Sequence, residues 1–512
     1  MSRNSILVIL CLPLQLLYSQ ETLLLQFSNS ITKEELSEHV HMLASDKFDG
    51  RYTGTEGQRM AAEYIQDEFR EDGLDAAFLS SSNPFFQEFK LNKCYWKEQS
   101  LTAAGIAFAA GEDFNFLSEP ENITGNYPVV FAGFGIEDPL YSDYKDLDVA
   151  GKVVLVISGE PKGKDGKYLL SGKSEPSRKG YYFTKAETAA GKGAVGLIVM
   201  AREDKGFRKF AHRTEDYRKR AEISYPSQEE EKEIFTIYTN LETAAVMLST
   251  SPETLETAMQ EMDSKKLTTS GRFQGSVEIN TTDECYPMNT ENVIGVVPGT
   301  DLREEAVVVV AHYDHHGQKD GKIYYGADDN ASGTAALMEI GEAFVEAVRG
   351  GYQPRRTVIF IAATAEEVGL YGSRYYTEHP VVPLDSTYAC VNIDMIGRAW
   401  NKMKDEPQFI GGYVYGSLDL FTLVQQYNKL MAPGLKDLVE YSNHLRGGSD
   451  HYYFGSNGVP SVFYFTGIHK DYHSPTDTPD KLLYDRMETT VRAIFGTVWA
   501  LANSSEKLKA ED

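Results

Sequence analysis

The sequence predicts an α/β fold: a mixed, mostly parallel sheet flanked by helices, interrupted by an inserted β-rich domain. Three observations carry this. From Asn292 onward, strand-length runs of apolar, β-branched or aromatic residues alternate with helix-like segments, and a mostly parallel sheet covered on both faces is the natural solution. Between Asn122 and Leu248 the texture changes to short β-rich runs. The chain has 512 residues, more than one ordinary core accommodates.

The elements follow in order. Arg3 precedes an apolar stretch, 6–17, broken only by Pro13 and Gln15 and ending near the small Ser19, which is signal-peptide grammar for residues 1–19. That stretch is shorter than the ~20 residues of a spanning helix, so export is expected, to a secreted or periplasmic location, with an uncleaved anchor as the alternative. Residues 33–43 have helical spacing, and a Gly-, Arg- and Thr-rich loop at 50–57 leads into an amphipathic helix over 60–69. Residues 20–121 form the first part of the principal domain, 122–248 the insert and 249–512 the second part. Within the insert, 129–134 and 153–157 read as strands, and 186–200 as a helix, a glycine turn and a further strand. Segment 202–222 carries mixed charge and reads as a solvated surface excursion, and 203–232 makes the far boundary of the insert longer than expected. In the last part, 307–310, 357–362, 388–393 and 461–465 are strands, with a helix over 335–348.

Composition narrows the function. With 42% apolar and 12% aromatic residues the chain is globular. Its 75 acidic against 50 basic side chains give a charge of -25, which repels a nucleic-acid backbone or an anionic membrane surface, so neither is expected as a partner. Once a signal carrying Cys11 is removed, Cys94, Cys285 and Cys390 allow one disulfide at most.

In open α/β sheets ligands bind beyond the carboxyl ends of the strands. The first run ends in His312-Tyr313-Asp314, the second leads to Glu366-Glu367, the third reaches Asp394, and the fourth is followed by Tyr472-His473. The loop 326–333, GADDNASG, adds carboxylates just before a helix. Each residue alone is more often structural, but independent strands placing such residues at the same end point to a metal site of nitrogen and oxygen donors, which suits zinc.

From His312 to Thr478 the chain resembles the co-catalytic zinc aminopeptidase family that includes the glutamate carboxypeptidases, through HYD at 312, GADDNASG at 326, AEE at 365, NIDMIG at 392, GGSDHYYF at 447 and YHSPTDT at 472. GRYTGTEG at 50 and MAAEYIQDEF at 60 are similar to the family's amino-terminal helix region. The resemblance implies two Zn2+ per chain, one held by His312 and Asp394, the other by Glu367 and His473, with Asp329 rather than Asp328 bridging them. It implies Asp314 as the carboxylate that accepts the other N–H of the His312 ring. Glu366 would take a proton from the attacking water and pass it to the leaving amine, and Tyr472 is a candidate donor to the oxyanion. Ser449, Asp450 and His451 are expected to shape the pocket without binding metal. The insert resembles a protease-associated domain through VVFAGFGI at 129, DVAGKVVLV at 148 and KAETAAGKGAVGLIVM at 185.

The activity implied is hydrolysis of the amino-terminal bond of peptide substrates. A carboxypeptidase for acidic ends is the alternative; it would need arginines aimed at two carboxylates, for which Arg374, Arg398 and Arg446 are available. A glutaminyl-cyclase-like transferase on the same fold would use a single zinc, and a non-catalytic binding module of the transferrin-receptor kind would have lost metal residues. All five metal positions are filled, which weighs against both.

Overall fold

The structure, a computed structural model, describes residues 23–79, 81–118, 121–139, 141–163, 165–219, 221–226, 234–265, 270–403, 405–445 and 447–509. The expected signal segment 1–19 and Arg446 lie outside the described residues. The chain forms two compact units, Met1–Lys90 with Asn289–Asp512, and Leu91–Met288.

In the first unit, helix α1 (Lys33–Leu43) starts at Thr32, whose hydroxyl accepts the N–H of Glu35. Helix α2 (Glu56–Asp72) is capped by Thr55 and ends at Gly73, whose φ of 97° is the left-handed stop that glycine supplies cheaply. The strands are β1 (Gln274–Val297, of which residues 289–297 belong to this unit), β2 (Leu302–His312), β3 (Arg356–Ala363), β4 (Thr387–Ile393), β5 (Phe409–Tyr415), β6 (Lys436–Ser442) and β7 (Ser461–Tyr464). Their order in the sheet is β6-β5-β7-β4-β2-β3-β1. β2 is parallel to both β3 and β4, and β4 to β7, whereas residues 293–297 of β1 run antiparallel to β3. β5 also turns antiparallel, against β7.

The valine run of β2 divides between two cores. Val307 and Val309 pack with α1, α2, α3 (Ser332–Arg349) and the terminal helix α5 (Tyr484–Asn503). Val308 and Val310 face the opposite side, with Tyr376 of α4 (Tyr371–Glu378) and Phe454. Period-two alternation with both faces buried is why the run reads as continuously apolar. Every residue of β3 is buried. β5 and β6 escape the sequence reading for physical reasons: β5 carries Gly411-Gly412 in its centre, and β6 is a largely uncovered strand at the end of the sheet with only Val439 buried.

In the second unit, Ile123–Phe131, Val153–Ile157, Gly196–Met200 and Phe235–Thr239 form successive parallel neighbours. This unit extends beyond 122–248 at both ends because Phe114–Phe116 pairs with Phe235–Thr239, and residues 274–281 pair antiparallel with 123–130. Cys94 and Cys285 form a disulfide within it, and Cys390 of the other unit is a buried thiol. Segment 202–222 is not a mere solvated excursion. It contains the helix Asp204–Lys219, which buries Phe207 and Ala211 on one side, a stripe obscured by the surrounding charge. Among the described residues no helix is long and apolar enough to cross a membrane.

Candidate active site

The carboxyl ends of β2, β3, β4 and β7 deliver the acids and histidines to one edge of the sheet. The chain leaves these strands through sharp turns, with positive φ at Ala365, Met395 and His473 (57°, 56° and 50°), a conformation non-glycine residues adopt rarely and often at functional sites. Asp329 lies in the turn Ala327–Ala331 that opens α3. Asn330 pins this turn: its side chain donates to the Ile393 carbonyl at 2.9 Å and accepts the N–H groups of Gly333 and Met395. A Cβ at Gly333 would come within 2.3 Å of the Ile393 carbonyl, so α3 can approach the end of β4 only with glycine there.

The five expected metal residues come together as two groups sharing Asp329. His312 Nε2 lies 3.5 Å from Asp329 Oδ1 and 3.5 Å from Asp394 Oδ1. His473 Nε2 lies 3.1 Å from Asp329 Oδ2 and 3.3 Å from Glu367 Oε2. Ligand atoms about 2.0–2.1 Å from a tetrahedral zinc stand roughly 3.3 Å apart, so both groups have the edge lengths of such a site. The same atoms lack other uses: His312 Nε2, Asp329 Oδ2 and Asp394 Oδ1 are buried without a hydrogen-bond partner. Burial, reinforced by Glu367, pushes the Asp329 carboxyl up to about 8. Burial likewise raises Glu366 well above the ordinary carboxylate range. Crowded, dehydrated carboxylates of this kind require cations, so the donor set fits zinc.

Of the adjacent acids, Asp329 faces the two histidines, while Asp328 turns away to accept the Gly397 N–H at 2.6 Å and to approach His469 Nε2 at 3.2 Å. Glu366 stands apart from the ligand edges, with Oε2 3.9 Å from His312 Nε2. Asp314 departs from its expected contact. The His312 Nδ1 faces the Asp314 backbone carbonyl at 3.2 Å, and the nearer carboxylate oxygen is 3.8 Å away. The carboxylate instead accepts the Thr53 hydroxyl at 2.8 Å and the Glu366 N–H at 3.1 Å. It therefore holds the Glu366 backbone, because the turn after β3 brings that N–H closer than the imidazole. Ser449 donates to Asp394 Oδ2 at 2.8 Å and accepts from Asn392, fixing the ligand carboxylate. Asp450 is fully buried, and burial pushes its carboxyl up to about 7.

Three residues that the sequence reading passed over also belong here. His315 is buried, and its Nδ1 hydrogen-bonds Glu367 Oε1 at 2.6 Å. His316 Nε2 lies 3.5 Å from Glu367 Oε2. Their signal was available: both follow the HYD triplet directly. Arg51, wholly buried, donates to the carbonyls of Leu43, Tyr313, Tyr325 and Gly326, tying the loop after β2 to the turn before α3. Nothing local marks it, since its partners are backbone groups more than 250 residues away for all but Leu43.

A cavity of about 340 Å3 opens onto the acids. Tyr413, Tyr415, Phe463, Phe465 and Ile468 also line it. His451 lies between Tyr415 and Phe463, its ring centroid 5.1 and 4.5 Å from theirs. Tyr472 stacks on His473 at 3.7 Å and also lines the cavity. No lysine or arginine lines it among the described residues. Arg398 pairs with Asp471 at 3.0 Å and Arg374 with Glu378 at 2.9 Å.

Residues 292–498 match peptidase family M28. The chain is 25% identical over 228 residues to the aminopeptidase YwaD of Bacillus subtilis, a match covering 43% of this chain and 46% of that protein. It is 27% identical over 223 residues to a probable glutamate carboxypeptidase of Arabidopsis thaliana, covering 41% and 30%. The matched stretch thus spans less than half the length of these two curated relatives. A solved zinc aminopeptidase from Bacillus subtilis superposes with a TM-score of 0.51 at 18% identity, covering 93% of this chain and 97% of that one, which establishes the shared fold. The strand-end chemistry and this match together identify residues 292–498 as a peptidase family M28 domain.

Proposed function

We propose that the protein is an exported dizinc aminopeptidase that hydrolyses the amino-terminal bond of peptides. The observation that carries this reading is the cavity's composition: carboxylates together with aromatic and aliphatic side chains, and no lysine or arginine among its described lining residues. Such a pocket favours a free ammonium beside an apolar side chain, whereas recognition of an acidic carboxyl end calls for arginine. Arg374 and Arg398 are both committed to acids elsewhere.

His312 and Asp394 would hold one zinc, His473 and Glu367 the other, and Asp329 both. When bound, the pair supplies Lewis acidity that polarises the scissile carbonyl and eases deprotonation of water. Glu366 accepts the proton from the attacking water on its carboxylate and returns it to the departing amine nitrogen. Asp314, through the Glu366 N–H, keeps that carboxylate in place. Tyr472, which lines the cavity, is the candidate donor to the oxyanion. The second unit is read as an inserted protease-associated domain on the resemblance of segments 129–136, 148–156 and 185–200.

The test combines zinc content with hydrolysis of free and amino-blocked dipeptides by the wild type and Glu366→Gln. About two zinc ions per chain, cleavage of free amino ends only, and a variant that keeps zinc but loses ~100- to 10,000-fold in kcat are expected. Cleavage of blocked peptides with acidic carboxyl ends would replace this reading with carboxypeptidase.

A further inference from the structure

His316 was assigned no role above, yet its ring nitrogen belongs geometrically with the ligands on the His473 side. One ring nitrogen of His316, one carboxylate oxygen of Glu367 and one ring nitrogen of His473 lie mutually within 4.8 Å. The His316 Nε2 to Glu367 Oε2 distance, 3.5 Å, is the same length as the two edges His312 makes with Asp329 and Asp394. It is also close to the His473 edges of 3.1 and 3.3 Å. The imidazoles of His316 and His473 meet edge to face, with centroids 4.1 Å apart and planes at 88°. His315 differs: its 2.6 Å contact to Glu367 is a hydrogen bond, too short for two ligands of one ion, and it uses Oε1. The Glu367 carboxylate is thereby divided, with Oε1 anchored by His315 and Oε2 turned toward His473 and His316.

We propose that His316 is a fourth protein ligand to the zinc on the His473 side. This rests on the dizinc reading above. That ion would have His473, His316, Glu367 and the shared Asp329, a closed four-donor set, whereas the His312 side offers His312, Asp394 and Asp329 and keeps an open position. Closed protein sets are the pattern of retained zinc, and three-donor sets that of reactive zinc. The two ions therefore differ in how readily they are removed, and His316 sets the difference.

The experiment is zinc retention by the full chain against increasing dipicolinate, with released and bound zinc both counted, for wild type, His316→Ala and His316→Asp. The wild type should hold two zinc ions and lose them in two steps at chelator concentrations at least ~10-fold apart. His316→Ala should collapse these into one step at the lower concentration, and His316→Asp, which retains a donor, should restore part of the separation. Cobalt-substituted wild type and His316→Ala should also differ in their visible absorption, through loss of a nitrogen ligand. If His316→Ala keeps two zinc ions with the wild-type removal profile and cobalt spectrum, His316 is not a ligand and the dizinc reading stands. A wild type that binds fewer than two zinc ions overturns both. Should His316→Ala not fold, a folded His316→Asp whose two-step zinc removal and cobalt spectrum match those of the wild type also overturns the proposal.

Discussion

Replacing Arg51 with methionine tests whether one buried side chain holds the active-site loops in register. The guanidinium is fully buried and donates to four backbone carbonyls, those of Leu43, Tyr313, Tyr325 and Gly326. At about 1.5 kcal/mol for each charge-assisted bond, their loss amounts to roughly 6 kcal/mol. Methionine fills most of the volume and spares the desolvation of the charge. Burial depresses the Arg51 pKa to about 10 from 12.5, although Asp314, Asp329, Asp477 and Glu367 pull it back up. That difference is equivalent to roughly 3 kcal/mol. The net destabilisation is then about 3 kcal/mol, a fall in Tm of about 3–6 °C for a unit of this size. Because the Tyr313 and Gly326 carbonyls lie beside His312 and the Asp329 turn, zinc affinity should fall with stability. Thermal unfolding of the metal-free protein and a zinc titration of the same sample provide the measurement. An Arg51→Met protein with unchanged Tm and unchanged zinc affinity would refute the reasoning. So would full rescue by Arg51→Lys, whose single ammonium cannot span four carbonyls.

Two further expectations concern the acids. Ser449→Ala removes the 2.8 Å hydrogen bond to Asp394 Oδ2 and should weaken zinc binding by ~10- to 100-fold, read by competition with a chelator; unchanged binding would show that Asp394 needs no such support. Glu291 is pushed up to about 7 chiefly by burial, with Arg59 and Gln58 opposing and Glu88 and Glu63 adding to the rise. The folded state therefore binds the extra proton between about 4.5 and about 7, and its stabilising contribution, present at low pH, is lost as pH rises through that window. Glu291→Gln should remove roughly 3 kcal/mol of that loss, so its Tm advantage over the wild type should appear at pH 8 and vanish at pH 4; parallel pH profiles would contradict it.

The residues after four strands disclosed the chemistry because an α/β sheet carries every parallel strand's carboxyl end to the same edge, so order along the chain became adjacency in space. The strongly apolar strands were legible for a related reason, since burial on both faces leaves a continuous valine and isoleucine signature, as in 307–310 and 357–362. β5 and β6 lacked that signature: one is interrupted by glycines and the other is mostly uncovered. Local sequence placed Asp314 beside His312, but only the tertiary structure decided that its carboxylate turns to the Glu366 N–H. The same holds for His315 and His316, adjacent in sequence yet committed to opposite oxygens of Glu367. Arg51 is the extreme case, because a contact made to backbone carbonyls leaves no pattern in the residues it touches. Sequence determined which donors reach the site; the turns at Ala365, Met395 and His473 and the close approach at Gly333 decided which atoms of those donors meet.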